Sequence, residues 1–324
     1  MTTPQVADET NGEYTVTAED AGQRLDKTLM RLYPAASFGM VQTLCRKGQV
    51  RLDGKRVKGN ERLEEGQRLR IPPKMRVEAP DDKPKFELRP TDAEKKALRS
   101  ALIYEDEHFM ILNKPTGMPV QAGSGHVRSL DRLAPLVFRD LDLRLTHRLD
   151  KETSGCLILA RSAADAAHIT RMFRDHEVHK TYWAVAVGDL YDGAGTIDFA
   201  LLKSGAPGHQ RVMAHADGDE AVTDYRRLAK SGDMNWMELK PKTGRTHQIR
   251  AHLSAFGVPI LGDGKYGGDS VCTWGEEKIK NLYLHAREVA FVHPETGKNI
   301  VVKADLPPHF ERLFDRLHWA EGKK

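Results

Sequence analysis

The sequence predicts an α+β protein in two parts: a small basic α+β module, then a larger unit built on a mixed, mostly antiparallel central sheet with flanking helices. Three observations predict it. At 324 residues the chain is long enough to bury two separate cores. Its charge is segregated, because Arg24 to Arg76 holds 14 Lys and Arg against 5 Asp and Glu, an excess of +9 in a chain whose total is +4. Beyond that segment, strand-like runs follow one another with a few helices between them, without the regular alternation of a doubly wound sheet. A module that carries the positive charge while the rest is acidic has the electrostatic footprint of a partner that is a polyanion.

The elements follow in order. Residues 1–13, MTTPQVADETNGE, lack a basic start and an apolar core, so they are expected to form a disordered tail and not a signal peptide. The basic module is expected over 14–76. Leu25, Leu29 and Leu32 fall at helical spacing. Ser37 can cap a second helix through FGMVQTLCRK, with Gly48 ending it. QVRLDGKRVKG alternates apolar and basic residues around Asp53-Gly54, a two-residue hairpin signal, and LEEGQRLRIPP supplies a further turn and strand. Residues 77–98 are polar, carry prolines and lack periodicity, which reads as a linker.

The larger unit is expected over 99–315. ALIYEDEHFMILNKP reads as a hairpin, GCLILAR as a buried strand, SAADAAHITRMFRDH as an amphipathic helix and KTYWAVAVG as a strand. EAVTDYRRLAK and NWMELKP read as a strand pair, and TGRTHQIRAHLSAFG as a helix ending at Gly257. Residues 316–324 are left as a C-terminal tail.

Several functions are excluded. No apolar run approaches the roughly 18 residues that span a bilayer. Cys45, Cys156 and Cys272 stand far apart with no CxxC spacing, which argues against a disulfide framework and a thiolate zinc site and for a reducing cytosol. His247 and His252 are five apart, not the four that a helical zinc pair needs, so no metal is expected. HRLDK differs from a kinase catalytic loop by the inserted Leu149, and no DFG follows. The glycine stretches QAGSGHV and ILGDGKYGGD fit no phosphate-loop pattern and read as turns. What remains is Asp150, a carboxylate set among cations just ahead of an apolar strand. By itself it is either a paired structural ion or a catalytic one.

HRLDKETSG, KTYWAVAVG and LKPKTGRTHQIRAHL occur in that order, with LNKPTGMPVQAGSG upstream. This set resembles the RluA family of pseudouridine synthases, and the basic helix-helix-hairpin module resembles the S4 RNA-binding domain, an arrangement similar to that of RluC-like members. The resemblance implies the pseudouridine synthase fold and the isomerisation of uridine to pseudouridine in structured RNA. The expected substrate is large-subunit (23S) ribosomal RNA; transfer RNA, or a non-catalytic role in ribosome assembly, are the alternatives. It implies Asp150 as the catalytic carboxylate, Tyr182 as the active-site tyrosine, and Arg245 as the arginine that pairs with Asp150. It also implies Arg148 as the residue that fills the space left by an extruded base, with His147 beside it in contact with RNA. Lys242 and Thr246, at the expected start of the GRTHQIR helix, are suited to phosphate. In the S4-like module Arg46, Lys47, Arg51, Lys55, Arg56 and Lys58 are the expected RNA contacts. The protein is expected to be cytoplasmic and monomeric, and to work without cofactor, metal or membrane.

Overall fold

The computed structural model describes residues 12–34, 36–75, 88–121, 128–205 and 211–320. The chain divides into two units, Met1–Glu87 and Leu88–Lys324. Most of the expected N-terminal tail, the first part of the expected linker, the QAGSGHV turn after Gln121 and the last four residues lie outside the described residues.

In the first unit, strand β1 (Glu13–Thr15) precedes helices α1 (Leu25–Leu32) and α2 (Phe38–Arg46). Strands β2 (Arg51–Leu52), β3 (Lys55–Arg56) and β4 (Arg68–Arg70) complete a sheet of order β1-β4-β2-β3. The side chain of Ser37 accepts the Met40 N–H and so caps α2 as its position predicts. Asp53 (φ 48°) and Gly54 (φ 77°) both take the left-handed backbone that a tight two-residue hairpin demands. Leu25, Leu29, Val41, Leu44, Val50 and Leu69 are buried together, so the two helices cover one face of the sheet.

The second unit opens with α3 (Asp92–Ser100), inside the segment expected to be a linker. A capping box explains it: Thr91 accepts the Glu94 N–H while the Glu94 carboxylate accepts the Thr91 N–H. The elements that follow are β5 (Leu102–Glu105), β6 (Phe109–Lys114), α4 (Leu130–Phe138), β7 (Arg144–Leu145), β8 (Ser154–Ala160) and α5 (Ala163–Arg174). Then come β9 (His179–Val187), β10 (Ala194–Asp198), β11 (Leu201–Ser204), β12 (Arg211–Ala214), β13 (Val222–Ser231), β14 (Met234–Pro241) and α6 (Gln248–Ala255). β15 (Thr273–Trp274), β16 (Glu277–Lys278), β17 (Leu284–Val292), β18 (Asn299–Lys303) and α7 (Pro308–Leu317) complete it. The expected C-terminal tail is partly structured, because α7 runs into it and Trp319 packs on Trp236 and Phe314.

The central sheet runs β10-β13-β14-β9-β17-β8-β6-β5, with β18 beside β17 and β7 beside β8. Among the described residues its one parallel pair is β8 with β17, at Ser154–His285 and Gly155–Ala286. Gly155 makes that pairing possible. Its φ is +106°, and a Cβ there would lie 2.2 Å from the Ala286 carbonyl oxygen. This register aligns Leu239, Tyr182, Ala286, Gly155 and Lys114 in one row across five strands. The turn that carries Asp150 leads directly into β8, so the charge of Asp150 acts on both Tyr182 and Lys114 of this row.

Candidate active site

Asp150 ends a short irregular segment after β7, and its carbonyl accepts the Thr153 N–H in a tight turn before β8. Lys114, at the end of β6, braces that turn from below. It is fully buried, and its Nζ donates to the carbonyls of Pro115 (2.9 Å), Met118 (2.9 Å) and Lys151 (3.0 Å). Burial pushes its amine down to about 7, but three carbonyl acceptors match the three donors of the ammonium and leave a neutral amine one donor short. Thr116 donates to the Glu152 carbonyl at 2.6 Å, and the Gly117 N–H donates to that of Lys151. The LNKPTGM stretch is therefore a clamp on the Asp150 loop.

The cation that meets Asp150 is Arg250. Its Nη1 donates to Asp150 Oδ2 at 3.1 Å, while Nε and Nη2 grip both oxygens of Asp263 at 2.7 and 2.8 Å. The guanidinium also lies over the Tyr266 ring, 4.9 Å from its centroid. Two carboxylates raise the already high pKa of Arg250 against the opposing effect of burial. The Asp150 side chain is 25% exposed against 1% for Asp263, so Asp150 can meet a substrate and Asp263 serves as the buried anchor. His247 Nε2 stands 3.7 Å from the other oxygen, Oδ1. Tyr182 is held protonated, first by burial and then by the negative charge of Asp150.

Arg245 is not at this carboxylate. Its Nε donates to the Glu220 carbonyl at 2.9 Å, and its Nη1 faces Asp219 at 3.9 Å. The reason is local. The helix starts at Gln248, not near Lys242, and the preceding loop is stitched by the Gln248 side chain. Gln248 Oε1 accepts from Thr243 Oγ1 (2.6 Å) and the Arg245 N–H (3.0 Å), and Nε2 donates to Val222 O and Thr223 Oγ1. Lys242 is correspondingly paired with Asp224 at 3.0 Å, and Thr246 is exposed in the same loop. The helix-start N–H groups expected near these two residues are not there.

His147 turns inward. Its Nε2 accepts the Ile158 N–H at 2.9 Å, its ring lies 4.5 Å from Phe173, and burial pushes its pKa down to about 3. It is a neutral structural histidine, while the adjacent Arg148, two residues before Asp150, is exposed.

In the first unit Arg46, Lys47, Lys55, Arg56 and Lys58 are exposed, and Arg51 bonds the Gly48 and Gly54 carbonyls. An open groove of about 490 Å³ lies between α2 and β3, lined by Gln42, Cys45, Arg46, Arg56, Val57 and Lys58. Among the described residues no group of three or more His, Cys, Asp or Glu is placed to hold a metal ion, and no helix is long and apolar enough to cross a membrane.

Arg250, Asp263, Tyr266 and Lys114 were not singled out in the sequence. A signal existed for Arg250: it lies between the apolar Ile249 and Ala251 on a buried helix, and a buried arginine requires carboxylates. For Asp263 and Tyr266 the glycine-rich turn concealed the roles.

A cation-gripped, partly exposed carboxylate near a half-buried tyrosine, on a chain that also carries a basic module, is an arrangement suited to an enzyme that acts on RNA. The sequence profile of the RNA pseudouridylate synthase family matches residues 108–255, and that of the S4 domain matches residues 23–69. Ribosomal large subunit pseudouridine synthase C of Vibrio cholerae serotype O1 is 35% identical over 304 residues, covering 93% of this chain and 95% of the relative. The proteins of that name from Rickettsia felis and Escherichia coli K12 are 34% and 31% identical, covering 90% and 93% of this chain and 95% of each relative. The solved structure of human RNA pseudouridylate synthase domain containing 4 superposes with a TM-score of 0.58 at 29% identity, covering 69% of this chain and 95% of that one. The chain belongs to the RNA pseudouridylate synthase family.

Proposed function

We propose that this enzyme converts uridine to pseudouridine in large-subunit ribosomal RNA, with Asp150 as the reacting carboxylate. The observation that carries the reading is the grip on Asp150: Arg250 is itself locked bidentately on Asp263 and holds one Asp150 oxygen, leaving Oδ1 available to substrate. The reaction breaks the bond between N1 of uracil and C1′ of ribose, turns the base, and joins C5 to C1′; C5 loses a proton and N1 gains one. Atoms and electrons balance without redox change, so the chemistry requires no redox cofactor. Asp150 acts at the sugar or the base, and Arg250 fixes the direction of one of its oxygens. Tyr182 offers a ring face to the turned base and a hydroxyl that donates. Arg148 occupies the stack that the uridine leaves, offsetting an extrusion cost of a few kcal/mol.

The basic residues of the S4 domain hold the RNA by phosphate contacts, which position it without reading sequence. This reading makes the protein a cytoplasmic monomer. Mapping pseudouridine in total RNA from a deletion strain, by carbodiimide labelling and primer extension, tests it. Defined large-subunit uridines should lose modification and regain it with the wild-type gene but not with Asp150→Asn. Loss confined to transfer RNA would replace the ribosomal substrate, and no loss in any RNA would overturn the activity.

A further inference from the structure

The Asp150 oxygen that Arg250 does not hold faces His247, and the contacts of that histidine favour one position for its proton. Tyr266 Oη accepts the Val212 N–H from β12 at 3.2 Å, so its own proton is free to be donated. The acceptor in reach is His247 Nδ1 at 2.8 Å. Accepting at Nδ1 assigns the proton of the neutral ring to Nε2, the atom turned towards Asp150 Oδ1. A directed chain of donors thus runs from β12 through Tyr266 to His247, which points it at the carboxylate. Charges on both sides surround the ring: Asp150 and Asp263 favour its protonation, while burial, Arg250 and Lys265 oppose it and keep it neutral.

The backbone is committed to this arrangement. His247 takes φ 52° and ψ 23° at the start of α6, a left-handed conformation uncommon for a non-glycine residue. From this position His247 faces one oxygen of Asp150 while Arg250, three residues on, holds the other. At 3.7 Å the Nε2 to Oδ1 separation is too long for a hydrogen bond in the free enzyme. The donor is aimed but not engaged.

We propose that His247, as its Nε2–H tautomer, is a positioning residue for the reaction: it turns Oδ1 of Asp150 towards the bound uridine by closing this gap when RNA fills the site. Tyr266 holds that tautomer and ties it to the β11–β12 hairpin. The inference rests on Asp150 being the reacting carboxylate, so Asp150→Asn is measured beside every variant.

Single-turnover kinetics on a stem-loop substrate provide the test. His247→Leu and His247→Gln impose the same backbone demand, but only glutamine keeps an N–H near the place of Nε2. His247→Leu should lower the rate at saturating RNA by about 30-fold with KM within a few-fold, and His247→Gln should recover most of the loss. Tyr266→Phe retains the ring under Arg250 and removes only the hydroxyl, and it should lower the same rate by about 5-fold. Equal rates for the leucine and glutamine variants, or a loss expressed only in KM, would overturn the proposal. Should the His247 variants fail to fold, Tyr266→Phe decides alone, and a wild-type rate there overturns it. An active Asp150→Asn would instead remove the catalytic reading beneath it.

Discussion

The two units of this protein use the same basic residues in opposite ways. In the first, Arg46, Lys47, Lys55, Arg56 and Lys58 are exposed, and none of these five forms an ion pair among the described residues. In the second, Arg250 and Lys114 are buried and saturated, one by two carboxylates and the other by three carbonyls. Exposed cations keep their hydration and act at a distance, which suits a phosphate backbone and is weakened by salt. Buried cations act only on the groups they touch, but they hold them within tenths of an ångström. Affinity for RNA and geometry at Asp150 should therefore be separable by mutation.

The largest effect tests the second unit. Asp150→Asn should lower turnover by at least about 100-fold while RNA affinity stays within a few-fold, since removing a negative charge does not weaken contact with a polyanion. Activity would be followed by tritium release from C5-labelled uridine and affinity by filter binding. A parallel fall in affinity would erase the division between the units.

Next, Arg250→Lys should fall well below wild type because an ammonium cannot keep the bidentate fork on Asp263 while reaching Asp150. Arg250→Met should be worse, and the buried Asp263 left without its cation should cost about 3–5 kcal/mol of stability. Turnover is therefore compared per folded molecule. Arg245→Met should change turnover only a few-fold. Equal damage at Arg245 and Arg250 would mean that the observed pairing is not what governs Asp150.

For the first unit, replacing Lys55, Arg56 and Lys58 together by Gln should leave turnover at saturating RNA unchanged. Each phosphate contact on single-stranded RNA contributes about 0.7 to the slope of log affinity against log salt, so the triple variant should flatten it by about 2. An unchanged slope would show that the hairpin meets something other than phosphate.

The smallest effect concerns a buried neutral histidine. His285 is fully buried; Ser154 Oγ donates to its Nδ1 at 2.9 Å, and its Nε2–H donates to the Ala304 carbonyl at 3.1 Å. Burial pushes its pKa down to about 4. Between an unfolded value near 6.5 and that value, the unfolded chain binds the extra proton, so stability is complete above the window and falls as pH drops through it. His285→Asn should be less stable at pH 7 yet lose less stability on acidification, as urea unfolding at several pH values would reveal. A wild-type pH slope in this variant would assign the acid sensitivity elsewhere.

The sequence by itself determined the basic module and several strands and helices of the larger unit, but not α3, which lies mostly in the segment expected to be a linker, nor α4. Alternation around Asp53-Gly54, the cap at Ser37 and the apolar run 156–160 are local signals, each read within a few residues. Asp150 and Tyr182 are singled out because their motifs are contiguous. The segment around Arg250 is equally contiguous, yet its resemblance points to Arg245 while Arg250 is the arginine that meets Asp150. Which of two arginines five residues apart reaches the carboxylate depends on where the helix begins. That start is decided by Gln248 bonding back to Thr243, Arg245 and Val222. Likewise, the inward turn of His147 depends on Phe173 and Ile158, and the role of Asp263 on Arg250 of α6. Helix and strand propensities act along the chain, whereas the ion pair at Asp150 joins groups 100 residues apart. Its partner is chosen by the approach of the Asp150 loop to α6, which only the packed sheet brings together.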